Sequence, residues 1–216
     1  MRESRRPPLF KKEALRIQYP WGFFMFILLF PVDFFVVHFL FCNFASVMNQ
    51  VKRWFVWLSR IYRCRGFGIQ SPTDYAFVRY VVNEHWPYYA YDQFKDDDWM
   101  RRKLGKLYFR LANWKQPSVM LSDDYEKYWH AGCRNTRFES VVETVELVRV
   151  DISDGFSVLD KCNEHSVLIV EGIYRDWQRW RQLVQDERVG VTFDLYYCGI
   201  VFFDKKRYKF YYVINF

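Results

Sequence analysis

The stretch Ser166-Val-Leu-Ile-Val-Glu171 has the pattern of a buried strand, and residues 176–185 after it have the pattern of a helix. A second apolar strand is predicted at 190–196. Two short apolar runs separated by a helix are typical of a βαβ unit, in which both strands run parallel. This part of the chain is therefore predicted to be an α/β domain.

The same alternation extends over residues 116–216. Strands are predicted at 118–121, 137–141, 145–151 and 166–171, and helices at 124–131, 155–162 and 176–185. The last three strands, at 190–196, 199–203 and 208–216, have no helix between them, so they are expected to pair antiparallel or as a hairpin. A mostly parallel sheet that ends in an antiparallel hairpin is a doubly wound α/β sheet with a modified edge.

Residues 48–115 are predicted to be a helical part in front of this domain. Its helices are expected at 51–62, 73–84 and 99–114, with a linker at 87–98. The first helix has one apolar face, which either packs on its own domain or lies on a membrane surface. The third helix carries Arg101, Arg102, Lys103 and Lys106 on its outward side, which we interpret as a solvated face.

Residues 1–47 form a hydrophobic amino-terminal segment in which 21–47 is almost entirely apolar. This stretch is long enough to cross a bilayer, although Asp33 and Pro31 both oppose a regular span. Two interpretations stand side by side. Residues 20–47 are a membrane anchor, or translation begins at Met48 and the prefix is a mis-assigned start. The protein is accordingly expected to be cytoplasmic, or anchored in the inner membrane if residues 20–47 are translated.

Charge and composition exclude several classes of function. The net charge of +7 is spread along the chain without a concentrated basic stripe, so no nucleic acid is expected as a partner. The five cysteines form no C-x-x-C pair, which argues against a zinc site or a disulfide framework. The histidines lack the partners of a metal-binding motif.

Several motifs resemble a methyltransferase-like family of the class I, S-adenosylmethionine-dependent type found in gut-associated bacteria. The similarity runs from about residue 51 to 216. The residues that carry it are Gly66-Phe-Gly-Ile-Gln-Ser-Pro72, Tyr88-Tyr-Ala-Tyr91, Val167-Leu-Ile-Val-Glu-Gly-Ile-Tyr174, Asp186-Glu-Arg-Val-Gly-Val-Thr-Phe-Asp-Leu195 and Gly199-Ile-Val-Phe-Phe-Asp204. The resemblance implies a Rossmann-like fold and S-adenosylmethionine as the cofactor.

The same resemblance implies a glycine-rich loop after the first strand that wraps the cofactor. Here the corresponding residues 119–126 contain no glycine, and Asp123, Asp124 and Tyr125 are expected where the ligand should lie. The interval 138–145 is also too short for a complete βα unit. One strand–helix pair is therefore expected to be missing.

Carboxylates are expected to supply the remaining cofactor contacts. Glu139 is the best match for the acidic residue that accepts the ribose hydroxyls, with Glu143 next. Asp151 and Glu171 end strands at the carboxyl edge, where doubly wound sheets bind ligands. Each is also explained as ordinary surface charge or as a helix cap.

Two hypotheses follow for the function. The first is an active methyltransferase of unknown substrate, with Asp123, Glu139 and Asp151 around S-adenosylmethionine. The second, which we favour, is a degenerate relative that keeps the sheet as a non-catalytic scaffold.

Overall fold

A computed structural model describes the backbone of residues 34–216 and the side chains of residues 47–216. The predictions about residues 1–33 lie outside this range. Residues Lys52–Phe216 form one compact unit. Across residues 47–216, no helix combines the length and the apolar character that a membrane span requires.

The fold is α/β, with helices packed on a mixed sheet of five strands and a separate pair of parallel strands. Its helices are α1 (Phe34–Ser59), α2 (Pro72–Phe77), α3 (Trp99–Lys115), α4 (Glu126–Gly132) and α5 (Trp177–Gln185). Its strands are β1 (Val119–Leu121), β2 (Arg137–Glu139), β3 (Val145–Asp151), β4 (Cys162–Glu171), β5 (Val191–Asp194), β6 (Cys198–Phe202) and β7 (Phe210–Val213). Short 3-10 turns occupy Ile61–Arg63, Tyr89–Phe94 and Leu159–Lys161.

The five-stranded sheet has the order β3-β4-β6-β5-β7. Strands β3 and β4 pair in parallel, with Asp151 opposite Glu171. Strand β6 is antiparallel to both β4 and β5, and β7 is parallel to β5. The predicted antiparallel hairpin is confirmed for β5 and β6. It is wrong for β7, because β6 lies between β4 and β5 and leaves only the outer edge of β5 free for the last strand.

The small sheet consists of β1 and β2 in parallel, with Met120 opposite Phe138. Strand β1 also lies beside β3 without a backbone ladder between them. The link is made by side chains, since Ser118 Oγ donates to Glu146 Oε1 at 2.6 Å.

Local signals explain where α2 and α3 begin. Ser71 caps α2, and Pro72 occupies its first turn, as the sequence predicts. Asp98 caps α3, accepting from the amides of Met100 and Arg101. The predicted helix at 155–162 is wrong, because turns and a 3-10 segment fill that region and β4 begins at Cys162.

Helix α3 lies in the middle of the core and packs closely on α4. Gly105 makes this approach close, because a Cβ there would lie 2.2 Å from the Tyr128 ring. Leu107 and Leu111 are fully buried on the same side as residues of β5 and β6. In contrast, Trp54, Phe55 and Leu58 of α1 are exposed, so the prediction that this face packs on its own domain is wrong.

Candidate functional site

An ion pair lies at the carboxyl ends of β3 and β4. Arg149 Nε donates to Glu171 Oε2 at 2.8 Å, and each side chain is less than one-fifth exposed. Burial by itself would lower the pKa of Arg149, but the charge and the hydrogen bond of Glu171 outweigh it and raise that pKa above its usual value. The pair is therefore a matched, largely desolvated unit.

Tyr108 of α3 is a second hydrogen-bond donor to Glu171. Its hydroxyl donates to Glu171 Oε2 at 3.0 Å, and its ring stacks on Trp129 with centroids 4.7 Å apart. Burial, followed by the negative charges nearby, raises the pKa of Tyr108 well above its ordinary value. The hydroxyl thus stays protonated as a donor to the carboxylate.

Tyr125, in the turn after β1, covers the other side of the ion pair. It is 5% exposed, and the Arg149 guanidinium carbon lies 4.8 Å from the centre of its ring. The ring also meets Tyr108 edge-on at 4.8 Å, while Arg101 lies 4.7 Å above it. The turn is consequently packed with the protein's own side chains.

Asp123 is directed into this turn. Its carboxylate accepts from the Tyr125 amide at 2.7 Å and from Trp129 Nε1 at 3.0 Å. Burial raises its pKa, against the opposing effect of these two donors and of Arg149. The acceptor positions of Asp123 serve the local backbone and the Trp129 side chain.

Asp151 lies beside the cluster, opposite Glu171 in the sheet. It pairs with Arg175 and accepts from the Ser153 amide at 3.2 Å. Burial acts to raise its pKa, but the Ser153 amide and Arg175 lower it overall. Asp151 therefore stabilises the turn that leaves β3.

The other predicted residues stay outside the cluster. The side chain of Asp124 is exposed, and only its carbonyl is engaged, by Arg101. Glu139 is also exposed, and its carbonyl accepts from the Ser122 amide at 3.1 Å. The structure thus brings together Asp123 and Glu171, sets Asp151 alongside, and leaves Asp124 and Glu139 at the surface.

Sequence reasoning missed Arg149 and Tyr108, and it named Tyr125 without its contact with Arg149. A signal for Arg149 was present, because a lone basic residue inside the apolar strand Val145–Asp151 needs a buried counter-charge. Tyr108 gave no such signal, since it fits the apolar face of α3 equally well. Among the described residues, no group of His, Cys, Asp and Glu is arranged to hold a metal ion.

Comparison of the chain with protein-family models, with curated proteins and with solved structures gives no match.

Proposed function

We propose that this protein is a degenerate, non-catalytic relative of class I methyltransferases whose α/β unit serves as a scaffold. The observation that carries the proposal is the Arg149–Glu171 ion pair, which Tyr108 and Tyr125 enclose. These side chains occupy the edge of the sheet where a cofactor of this fold class would bind.

The strand order supports a shortened Rossmann-like, doubly wound sheet. A common order for that fold is 3-2-1-4-5-6, and ligands bind where the chain order reverses. Removal of the third strand leaves 2-1-4-5-6, and β2-β1 beside β3-β4 corresponds to the first four of these positions. The missing strand–helix pair expected from the sequence fits the same scheme.

The reversal point in this scheme lies between β1 and β3. Asp123 and Tyr125 follow β1, Asp151 ends β3, and Arg149 lies two residues before that end. An active site would need open space there and backbone amides directed at the ligand. Instead, the Tyr125 ring lies against Arg149, and the Tyr125 amide donates to Asp123. This arrangement favours the scaffold over the active enzyme.

The test is calorimetric titration of the full-length chain with S-adenosylmethionine and with S-adenosylhomocysteine. We expect neither heat of binding nor a thermal shift at millimolar ligand, because binding would require the Arg149–Glu171 pair and Tyr125 to separate. Saturable binding in the micromolar range would overturn the scaffold and establish the active methyltransferase as the better interpretation.

A further inference from the structure

A second region of the molecule has the features of a ligand site and lies outside the cluster described above. A cavity of about 680 Å³ is bordered by α3, by residues 82–92 and by Phe216. This volume is in the range of small-molecule sites, roughly 300–1,000 Å³. We refer to it as the α3 cleft.

Four basic residues of α3 line this cleft. They follow the spacing that places side chains on neighbouring turns of one helix side: Arg102, Lys103, Lys106 and Arg110. None of the first three is fully exposed, and Arg110 is only 7% exposed. The sequence interpretation of a solvated basic face did not include this cleft, which Arg102, Lys103 and Lys106 border.

Arg110 forms the structural floor of the cleft. Its guanidinium donates to the carbonyls of Val81 and Val82 at 2.6 and 2.9 Å and to Tyr91 Oη at 3.2 Å. Residues Val78–Val82 form a π-helical turn, and such turns are frequent at functional sites. Arg110 thus ties α3 to the opposite wall and contributes a fixed positive charge.

The carboxylates in the cleft leave Lys103 and Lys106 without an ion-pair partner. Glu84 accepts from the Tyr88 hydroxyl at 2.9 Å, and Asp92 pairs with Lys95. Over residues 47–216, neither Lys103 nor Lys106 forms an ion pair. The cleft therefore holds a surplus of positive charge.

The pKa values of both lysines are lowered, mainly by burial and in smaller part by neighbouring cations. Burial is the main cause that lowers the pKa of Lys103 to about 8, and Arg110 and Arg53 add to it. Burial, Arg102 and Arg110 likewise lower the pKa of Lys106. Aromatic rings compensate in part, because the Lys103 amine lies 4.5 Å from the Phe216 ring and the Lys106 amine lies 4.8 Å from Tyr91. An anion bound in the cleft would offset the remaining free-energy cost of burying these charged amines.

Aromatic side chains complete the lining. Tyr88 and Tyr91 stand in one wall, and the indole of Trp86 at the rim is 71% exposed. An exposed aromatic face next to unpaired cations matches a ligand that has a planar ring and an anionic group. A ligand without a ring would leave Trp86 without a role.

We propose that the α3 cleft binds a nucleotide, with its phosphates on Lys103 and Lys106 and its base on Trp86. This proposal does not depend on the scaffold function of the carboxyl edge. A single nucleotide fits the volume of the cleft better than a nucleic acid strand, which needs a basic track that continues along the surface.

The test is calorimetric titration of the full-length chain at pH 7 with ATP, tripolyphosphate, adenosine and a single-stranded RNA oligonucleotide. ATP is expected to bind, and tripolyphosphate to bind several-fold more weakly. Replacing both lysines, Lys103→Gln with Lys106→Gln, is expected to weaken ATP binding by about tenfold or more, since charge-assisted hydrogen bonds are lost. Trp86→Ala is expected to weaken ATP but not tripolyphosphate.

The matched control is Lys205→Gln with Lys206→Gln, which removes the same charge from an exposed turn outside the cleft. It should change the ATP affinity by no more than about twofold, because salt screens exposed charges that are distant from the ligand. The proposal is overturned if ATP gives no binding at millimolar concentration, if the two double variants behave alike, if tripolyphosphate binds as tightly as ATP, or if only the oligonucleotide binds. The wild-type titration decides the matter even if a variant fails to fold.

Discussion

The carboxyl edge of the sheet and the α3 cleft both contain buried basic groups and tyrosines. The pKa values of their basic groups are nevertheless shifted in opposite directions. At the edge, Arg149 has Glu171 as its partner, and its pKa is raised. In the cleft, Lys103 has no carboxylate partner among the described residues, and its pKa is lowered. Arg149 thus has its counter-charge within the protein, whereas Lys103 has a charge that a bound anion would neutralise.

The largest change in stability is expected from removing one partner of the Arg149–Glu171 ion pair. Arg149→Met leaves the Glu171 carboxylate largely buried with only the Tyr108 hydroxyl as a donor. We expect a loss of about 3 kcal/mol in the free energy of unfolding, because an uncompensated buried charge is costly. Urea unfolding of the full-length chain at pH 7 measures it.

Two further variants make this measurement specific. The double replacement Arg149→Met with Glu171→Met should recover most of the loss, because no unpaired charge remains. Lys95→Met removes an exposed pair with Asp92 and should cost less than about 0.5 kcal/mol. A cost for Arg149→Met as small as that of Lys95→Met would contradict the matched ion pair.

A smaller effect of the opposite sign is expected in the α3 cleft. Lys103→Met removes an amine that folding desolvates, which is worth about 3 kcal/mol at pH 7 on the scale of about 1.4 kcal/mol per pKa unit. Loss of the cation–π contact with Phe216 offsets about 1 kcal/mol of this, so we expect a net gain of about 2 kcal/mol. The charged or titratable groups that face Lys103 are Arg53, Arg110 and Cys198, and none of them is a counter-ion carboxylate.

The pH dependence gives this prediction its sign. The folded pKa of Lys103, about 8, is below its ordinary value of 10.5, so the unfolded chain binds more protons in that interval. The stability of the wild type relative to Lys103→Met should therefore rise from pH 8 to 10.5, and the gain at pH 7 should shrink. Denaturation at several pH values measures it, with the exposed Lys205→Met as control. A constant difference between the Lys103 variant and the wild type would argue against the buried amine.

The smallest effect is expected at the helix that both regions share. In Gly105→Ala, the added Cβ overlaps the Tyr128 ring, at a cost of about 1–3 kcal/mol, while the better helix former returns about 1 kcal/mol. We expect a net loss of about 1 kcal/mol, read as a lower melting temperature. Asn113→Ala, at an exposed position of α3, should instead raise it slightly. Equal shifts in the same direction would show that α3 does not depend on this close approach.

The sequence was informative about elements with strong periodicity. The prediction for α3 agrees with the structure within one residue, because a capping aspartate, a continuous apolar face and a terminal lysine all act locally. The helix predicted at 155–162 failed since Asp154 and Ser157 make turn hydrogen bonds there instead. The direction of β7 depends on the insertion of β6 between two earlier strands, which no local pattern encodes.

The candidate site was less accessible to sequence reasoning. The carboxylates at strand ends could be found from the topology, and Glu171 and Asp151 do lie in adjacent positions. Their partners could not be found, because Tyr108 fits the apolar face of α3 and Arg149 comes from a separate strand whose pairing the sequence does not specify. The cleft beside the basic side of α3 could not be found for a related reason. A helical pattern shows which residues share a face, but the cavity opposite them is formed by residues 82–92 and Phe216.

Hydrogen–deuterium exchange of the full-length chain, with S-adenosylmethionine and separately with ATP, tests the contrast between the two regions most directly. We expect ATP to slow exchange in residues 84–92 and 99–110, and S-adenosylmethionine to leave residues 119–126 and 145–153 unchanged. Protection of 119–126 by S-adenosylmethionine, with none in α3 from ATP, would contradict the account.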